Sequence, residues 1–219
     1  KKVEKLAFCN CTSLRRVIMP GVEIVEEHAF NFCEALTDVE CGKLEIIEDE
    51  AFYFCESLRS INLPSAKIVE MSAFDNCKAL MNVEFGNKLE STGWGAFYRC
   101  TSLEQITIPL KGSIITHANL FAGCKKLKHV DLVGGGGVHE TIAALLLEGW
   151  TNDMNREILS IDQILSNTPA GYDFDDVGGK AMAIRIWISS VLRKIIHYKA
   201  EHQSFLNEAA STLQHVLPQ

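Results

Sequence analysis

Between residues 7 and 132 the apolar positions return in one arrangement, Ala-Phe-x-x-Cys-x-x-Leu-x-x-hydrophobic-x-hydrophobic. The six versions read AFCNCTSLRRVIM, AFNFCEALTDVEC, AFYFCESLRSINL, AFDNCKALMNVEF, AFYRCTSLEQITI and LFAGCKKLKHVDL. Their phenylalanines (Phe8, Phe30, Phe52, Phe74, Phe97 and Phe121) are spaced 22, 22, 22, 23 and 24 residues apart. Each version ends in the period-two alternation of a short strand: in the third, Leu58, Ile61 and Leu63 turn inward while Ser60 and Asn62 turn outward. A unit this small cannot bury its apolar face alone, so it stacks on copies of itself and the core becomes ladders along a solenoid axis. One ladder is the phenylalanines, another Leu14, Leu36, Leu58, Leu80, Leu103 and Leu127, and a third Val17, Val39, Ile61, Val83, Ile106 and Val130. A second apolar pair precedes Ala-Phe, as Val22/Val25, Leu44/Ile47 and Ala66/Val69, and turns irregular at Leu89/Thr92 and Ile114/Ile115, where the period lengthens.

The pattern AFxxCxxLxxVxLP resembles the BspA-type leucine-rich repeat family over residues 1–133. The strand-end proline stands only at Pro20, Pro64 and Pro109, and the last unit has Leu120 in place of Ala. The resemblance implies an α/β repeat fold, a right-handed leucine-rich repeat solenoid with a parallel sheet on one face. It also implies protein or ligand binding without catalysis, in recognition or adhesion. The opening Val3-Glu4-Lys5-Leu6-Ala7-Phe8 reads as the second half of a unit with no polar cap ahead of it. That predicts a longer protein, with room for a signal peptide, or a subunit covering this end.

The pattern changes after Leu132. Gly134–Gly137 leads into a helical stretch from near His139, with Ile142, Leu146, Trp150, Met154, Ile158, Ile161 and Leu165 on one stripe. A break at 167–171 and an acidic loop at Asp173–Asp176 precede a second helix from about Gly179 to Val216. Its stripe, from Ile184, Ile188 and Val191 through Ile195, Tyr198, His202 and Phe205 to Val216, keeps the spacing of a coiled-coil seam. Residues 134–219 are therefore predicted to form an antiparallel α-helical hairpin that caps the solenoid or extends from it. This tail resembles segments that follow such repeats in proteins of unicellular algae, with no activity attached.

Charge adds an exclusion. The net charge of −7 divides into 15 basic against 18 acidic residues up to residue 133 and 6 against 10 beyond, which lacks the basic footprint of a nucleic-acid binder. No apolar run approaches the length of a membrane span. Six of eight cysteines (Cys11, Cys33, Cys55, Cys77, Cys100 and Cys124) share one repeat position, and Cys41 takes a strand-ladder slot. Disulfides between adjacent rungs are sterically feasible. One thiol per unit in a packing slot reads instead as a small buried hydrophobe, which favours a reducing, cytoplasmic compartment; a leader upstream would place the chain outside the cell.

Candidate chemistry is sparse. The tetraglycine sits between strand and helix, as phosphate loops do, but lacks the GxxxxGK[ST] and GxGxxG patterns and reads as a hinge. Asp173, Asp175, Asp176 and Gly178 partly imitate a calcium loop, with Val177 and Ile184 where ligands belong; a helix N-cap accounts for them. His197 and His202 stand about 140° apart on a helix and cannot share a metal. No nucleophile motif or zinc spacing occurs, so neither enzyme nor cofactor is predicted.

The functional signal is the outward sheet face. One column is Arg16, Asp38, Ser60, Asn82, Gln105 and His129; the other is Ile18, Glu40, Asn62, Glu84, Thr107 and Asp131. Such extended faces bind partners, and the acidic second column suits a basic or polar peptide. Trp94, between Gly93 and Gly95, is a further anchor candidate. On the second helix Phe205, Leu206, Leu213 and Leu217 form a candidate hairpin interface. The sequence predicts a non-enzymatic recognition or scaffolding module. Its alternatives are a structural or oligomerisation role through the hairpin, and cell-surface adhesion.

Overall fold

The computed structural model describes residues 1–133, 148–171 and 179–216, with side chains as far as residue 208. The tetraglycine hinge, the Asp173–Asp176 loop, Leu217 and the side chain of Leu213 lie outside the described residues.

The predicted strands form β2 (Arg16–Ile18), β4 (Asp38–Glu40), β6 (Ser60–Leu63), β8 (Asn82–Phe85), β10 (Gln105–Ile108) and β11 (His129–Leu132). All pair in parallel at the repeat register, Ile61 opposite Val83 and Ile106 opposite Val130. The hydrogen-bonded ladder falls in two parts, β2 with β4 and β6-β8-β10-β11.

A second sheet corrects the expectation of a single one. Strands β1 (Lys2–Val3), β3 (Ile24–Val25), β5 (Ile46–Ile47), β7 (Ile68–Val69) and β9 (Ser91–Thr92) form a parallel sheet in chain order, extended by a bridge from Thr92 to Ile115. Each of these strands has two residues, and Val25, Ile47, Val69 and Thr92 are the buried ones. One inward residue per strand is too short an alternation to announce itself as a strand, so the sequence shows only an apolar pair.

Between the sheets runs an arc whose centre is the phenylalanine ladder. The six rings stack face to face, with centroids 5.1 to 5.8 Å apart. The arc backbone is itself bonded rung to rung: Phe30 N–H donates to Ala51 O at 2.8 Å and Phe32 N–H to Tyr53 O at 2.8 Å. In most turns the residues two before and two after the phenylalanine have φ near +55°, among them His28, Phe32, Glu50, Phe54, Ser72 and Asn76. Each such non-glycine residue costs about 1–2 kcal/mol, offset by the rung-to-rung bonds that this bend aligns.

The ladder cysteines do more than fill space. Cys33, Cys55, Cys77, Cys100 and Cys124 are buried, and each thiol donates to the phenylalanine carbonyl of the preceding turn at 3.1 to 3.3 Å. All eight cysteines are free thiols. Burial pushes the Cys33 thiol up to about 11 and also raises those of Cys55, Cys77 and Cys100, so these groups stay protonated and able to donate.

Two helices follow, α1 (Glu148–Asn167) and α2 (Lys180–Val216). Contacts descend along one as they rise along the other: Trp187 Nε1 donates to Glu157 O at 2.9 Å, while Lys194 Nζ and Tyr198 OH both meet Asp153 Oδ2 at 2.8 Å. The helices are therefore antiparallel, as predicted. Met154, Ile161, Leu165, Ile184, Trp187, Ile188 and Val191 join the same apolar cluster as the solenoid core. The hairpin packs on the last turn through a buried cation. Lys180 Nζ donates to Leu127 O in the solenoid and, at 3.1 Å, to Leu165 O near the end of α1. Desolvation lowers the pKa of this ammonium.

Phe52 is fully buried between Phe30 and Phe74. Phe52→Ala is expected to lower unfolding stability by about 3–5 kcal/mol, measured by denaturant titration. Phe8→Ala, at a ring 42% exposed, should cost clearly less; equal losses would mean that the stack is not what is being measured.

Candidate functional site

Both predicted columns occupy the outward face of the larger sheet. Arg16, Asp38, Ser60, Gln105 and His129 are exposed and Asn82 is half-buried; Ile18, Glu40, Asn62, Glu84 and Asp131 are exposed and Thr107 half-buried. Neighbours in each column stand directly opposite one another, as with Asn62 and Glu84 or Glu84 and Thr107. This follows from the strand alternation: inward Ile61, Leu63, Val83 and Ile106 hold their neighbours outward.

The columns differ along their length. At the first strands Arg16 Nε lies 3.1 Å from Asp38 Oδ2, and its guanidinium also pairs with Glu40. Towards the last strands the Gln105 amide donates to Asp131, and His129 Nδ1 meets Asp162 Oδ2 of α1 at 3.0 Å. In the middle, the side chains of Ser60, Asn62, Asn82, Glu84 and Thr107 have no hydrogen-bond or ion-pair partner among the described residues. The acidic column thus keeps one carboxylate without a side-chain partner among the described residues, Glu84, within a patch of amides and hydroxyls. Exposed Met81 lies just outside it, immediately before β8.

A larger collection of acids lies in the turns that flank the strands of the second sheet, and several have a structural role. Glu26 accepts Lys5 N–H at 2.9 Å, Glu48 accepts Glu27 N–H at 3.1 Å, and Asp49 accepts Met71 N–H at 3.0 Å. These carboxylates satisfy backbone donors of adjacent turns. Lys2, Lys5 and Lys67 pair with Glu26, Glu27 and Glu45.

Trp94 is half-buried and stacks on Tyr98 with centroids 6.3 Å apart. The glycines beside it serve turn packing: a Cβ on Gly93 would fall 2.5 Å from the Glu70 carbonyl carbon, and Gly95 has φ of +60°. On α2 Phe205 and Leu206 are 54% and 47% exposed, and the Phe205 ring lies 6.0 Å from that of Trp150.

Sequence reasoning missed three features. One is Lys180, which ties hairpin to solenoid. Another is a cavity of about 280 Å³ lined by Glu104, Lys126, Lys128 and His129, whose signal was the cluster Lys125, Lys126 and Lys128 in an acidic chain. The third is Asp75 on the arc, beside Asn76, Arg99, Tyr53 and Glu50. Among the described residues no group of three His, Cys, Asp or Glu side chains could hold a metal ion, and no helix is long and apolar enough to cross a membrane.

The comparison with known proteins matches this geometry. Six copies of the BspA type leucine rich repeat region cover residues 1–128. The chain belongs to that family. Among solved members of the leucine-rich class, the Treponema pallidum leucine rich repeat protein superposes with a TM-score of 0.53 at 29% identity, over 59% of this chain and 62% of its own. A leucine rich cell surface protein from Faecalibacterium prausnitzii superposes with a TM-score of 0.54 at 31% identity, over 59% of this chain and 35% of its own. The chain thus spans less than two thirds of either relative. Among curated proteins none matches the sequence.

Asp75 provides a pH test of the arc. Burial pushes its carboxyl up to about 7, with Glu50 adding to the rise and Arg99 and the Asn76 hydrogen bond opposing it. The folded state holds this proton more tightly than the unfolded chain. Stability from this group is therefore fully present below pH 4 and is lost as pH rises towards about 7. Asp75→Asn keeps the acceptor that Asn76 Nδ2 uses at 2.7 Å and removes the penalty. Its melting temperature should exceed that of the parent at pH 8, and the gap should close by pH 4; a gap unchanged with pH would contradict this assignment.

Proposed function

We propose that the chain is a non-enzymatic recognition module whose binding surface is the outward face of the larger sheet. The observation that carries this reading is the unpaired patch of Ser60, Asn62, Asn82, Glu84 and Thr107, flanked at both ends by side chains that satisfy one another. Free amides and one free carboxylate on a rigid parallel sheet suit a polar or basic polypeptide segment. The solenoid supplies the rigidity, so little ordering entropy is lost by the protein on binding. Arg16, Ile18, Asp38, Glu40, Gln105, His129 and Asp131 frame the patch, and Trp94 lies outside it on the other side of the turn.

A second reading, ligand binding at the cell surface, is favoured by the likeness to the Faecalibacterium prausnitzii protein described as a leucine rich cell surface protein. The same face serves either role, so its test is common to both. Affinity capture from native lysate, read by mass spectrometry, is expected to yield a partner with the parent chain that is lost with Asn82→Arg/Glu84→Arg. Identical captures would overturn the sheet-face reading and turn the search to the exposed hairpin positions Phe205 and Leu206.

A further inference from the structure

We infer that the corner where the last two turns meet α1 is a carboxylate pocket, receiving an Asp or Glu side chain of the same partner segment. The inference rests on the sheet-face reading and adds the partner's charge pattern to it. Glu104, Lys126, Lys128 and His129 line a cavity of about 280 Å³ at the start of β10 and β11. Lys128 is exposed, and its ammonium has no hydrogen-bond or ion-pair partner among the described residues. Lys126 is held only loosely, 3.8 Å from Glu104, with both side chains more than half exposed. His129 is fixed at the wall by its 3.0 Å contact with Asp162, which brings α1 to the rim.

Charge makes this corner an exception. The repeats carry more acids than bases, yet here two lysines line one cavity beside Glu104, while the Asp162 carboxylate at the rim is turned to His129. The unpaired Lys128 ammonium offers an anionic group a partner at that point. The carboxylate of Glu104 in the wall selects among anions, since it opposes a doubly charged phosphate more than a singly charged side chain.

Position links the cavity to the unpaired patch. His129 and Gln105 end the column that begins at Arg16, and β8 is separated from β11 by one strand, β10. Two strand spacings are about 10 Å, the reach of roughly three extended residues. A segment running across the strands would place a polar residue against Asn82 and an acidic one about three residues further on, at His129 and the pocket.

The test uses blocked hexaglutamate and hexaglutamine peptides titrated into the whole chain, followed by backbone amide NMR shifts. Hexaglutamate is expected to give saturable shifts centred on Glu104 and Lys126–His129 that weaken with added salt, and hexaglutamine none. Lys126→Gln/Lys128→Gln should weaken binding about tenfold; both side chains are exposed, so the fold is retained. Glu104→Gln should tighten it. Absence of saturable shifts, equal binding of the two peptides, or indifference to the lysine substitutions would overturn the pocket. The two readings fail separately. Partner capture that needs Asn82 and Glu84 but not Lys126 and Lys128 leaves the face and removes the pocket. Capture indifferent to Asn82 and Glu84, with hexaglutamate still saturating the corner, removes the face and leaves the pocket.

Discussion

Every turn must land on the previous one in register, and the stacked phenylalanines enforce this. A ring fully buried between two others about 5.2 Å away cannot slide without losing both contacts. The same step carries the cysteine thiol to the carbonyl of the preceding phenylalanine, and the arc amides to the next turn. Ring stack, thiol bond and arc ladder are thus three consequences of one translation. The two sheets inherit their register from it, and so do the outward columns, because a side chain keeps its column only if the turn beneath keeps its phase.

This constraint also explains what could be read in advance. A residue that repeats in space at one position repeats in sequence, so the buried ladders and the outward columns were visible as spacing. The narrow second sheet was not, since two residues are too few to show alternation. Nor were the left-handed turns at Phe32, Glu50 and Phe54, whose residue types disfavour that conformation and which adopt it because tertiary bonds demand it. In the hairpin the apolar seam was legible, but Lys180 was not. A lysine reads as surface until two carbonyl-bearing segments close around it.

For the candidate site the sequence supplied membership of the face but not its electrostatics. Asp38, Glu40 and Asp131 counted as free acids until Arg16 and Gln105 were seen against them. Those pairings depend on rotamers across neighbouring strands, which no spacing encodes. What remains is a short polar patch centred on Asn82 and Glu84, with the Lys126 and Lys128 corner beside it and turn-bonding carboxylates flanking the strands of the other sheet. Net charge alone points to the other surface. The acids that dominate the count hold turns together, whereas the residues left unsatisfied are few and mostly neutral.

The most direct measurement of this account is amide hydrogen exchange of the chain alone and bound to its captured partner. Added protection concentrated on β6, β8 and β10, with the smaller sheet unchanged, is the predicted result. Protection confined to β3, β5 and β7 or to the exposed end of α2 would contradict it.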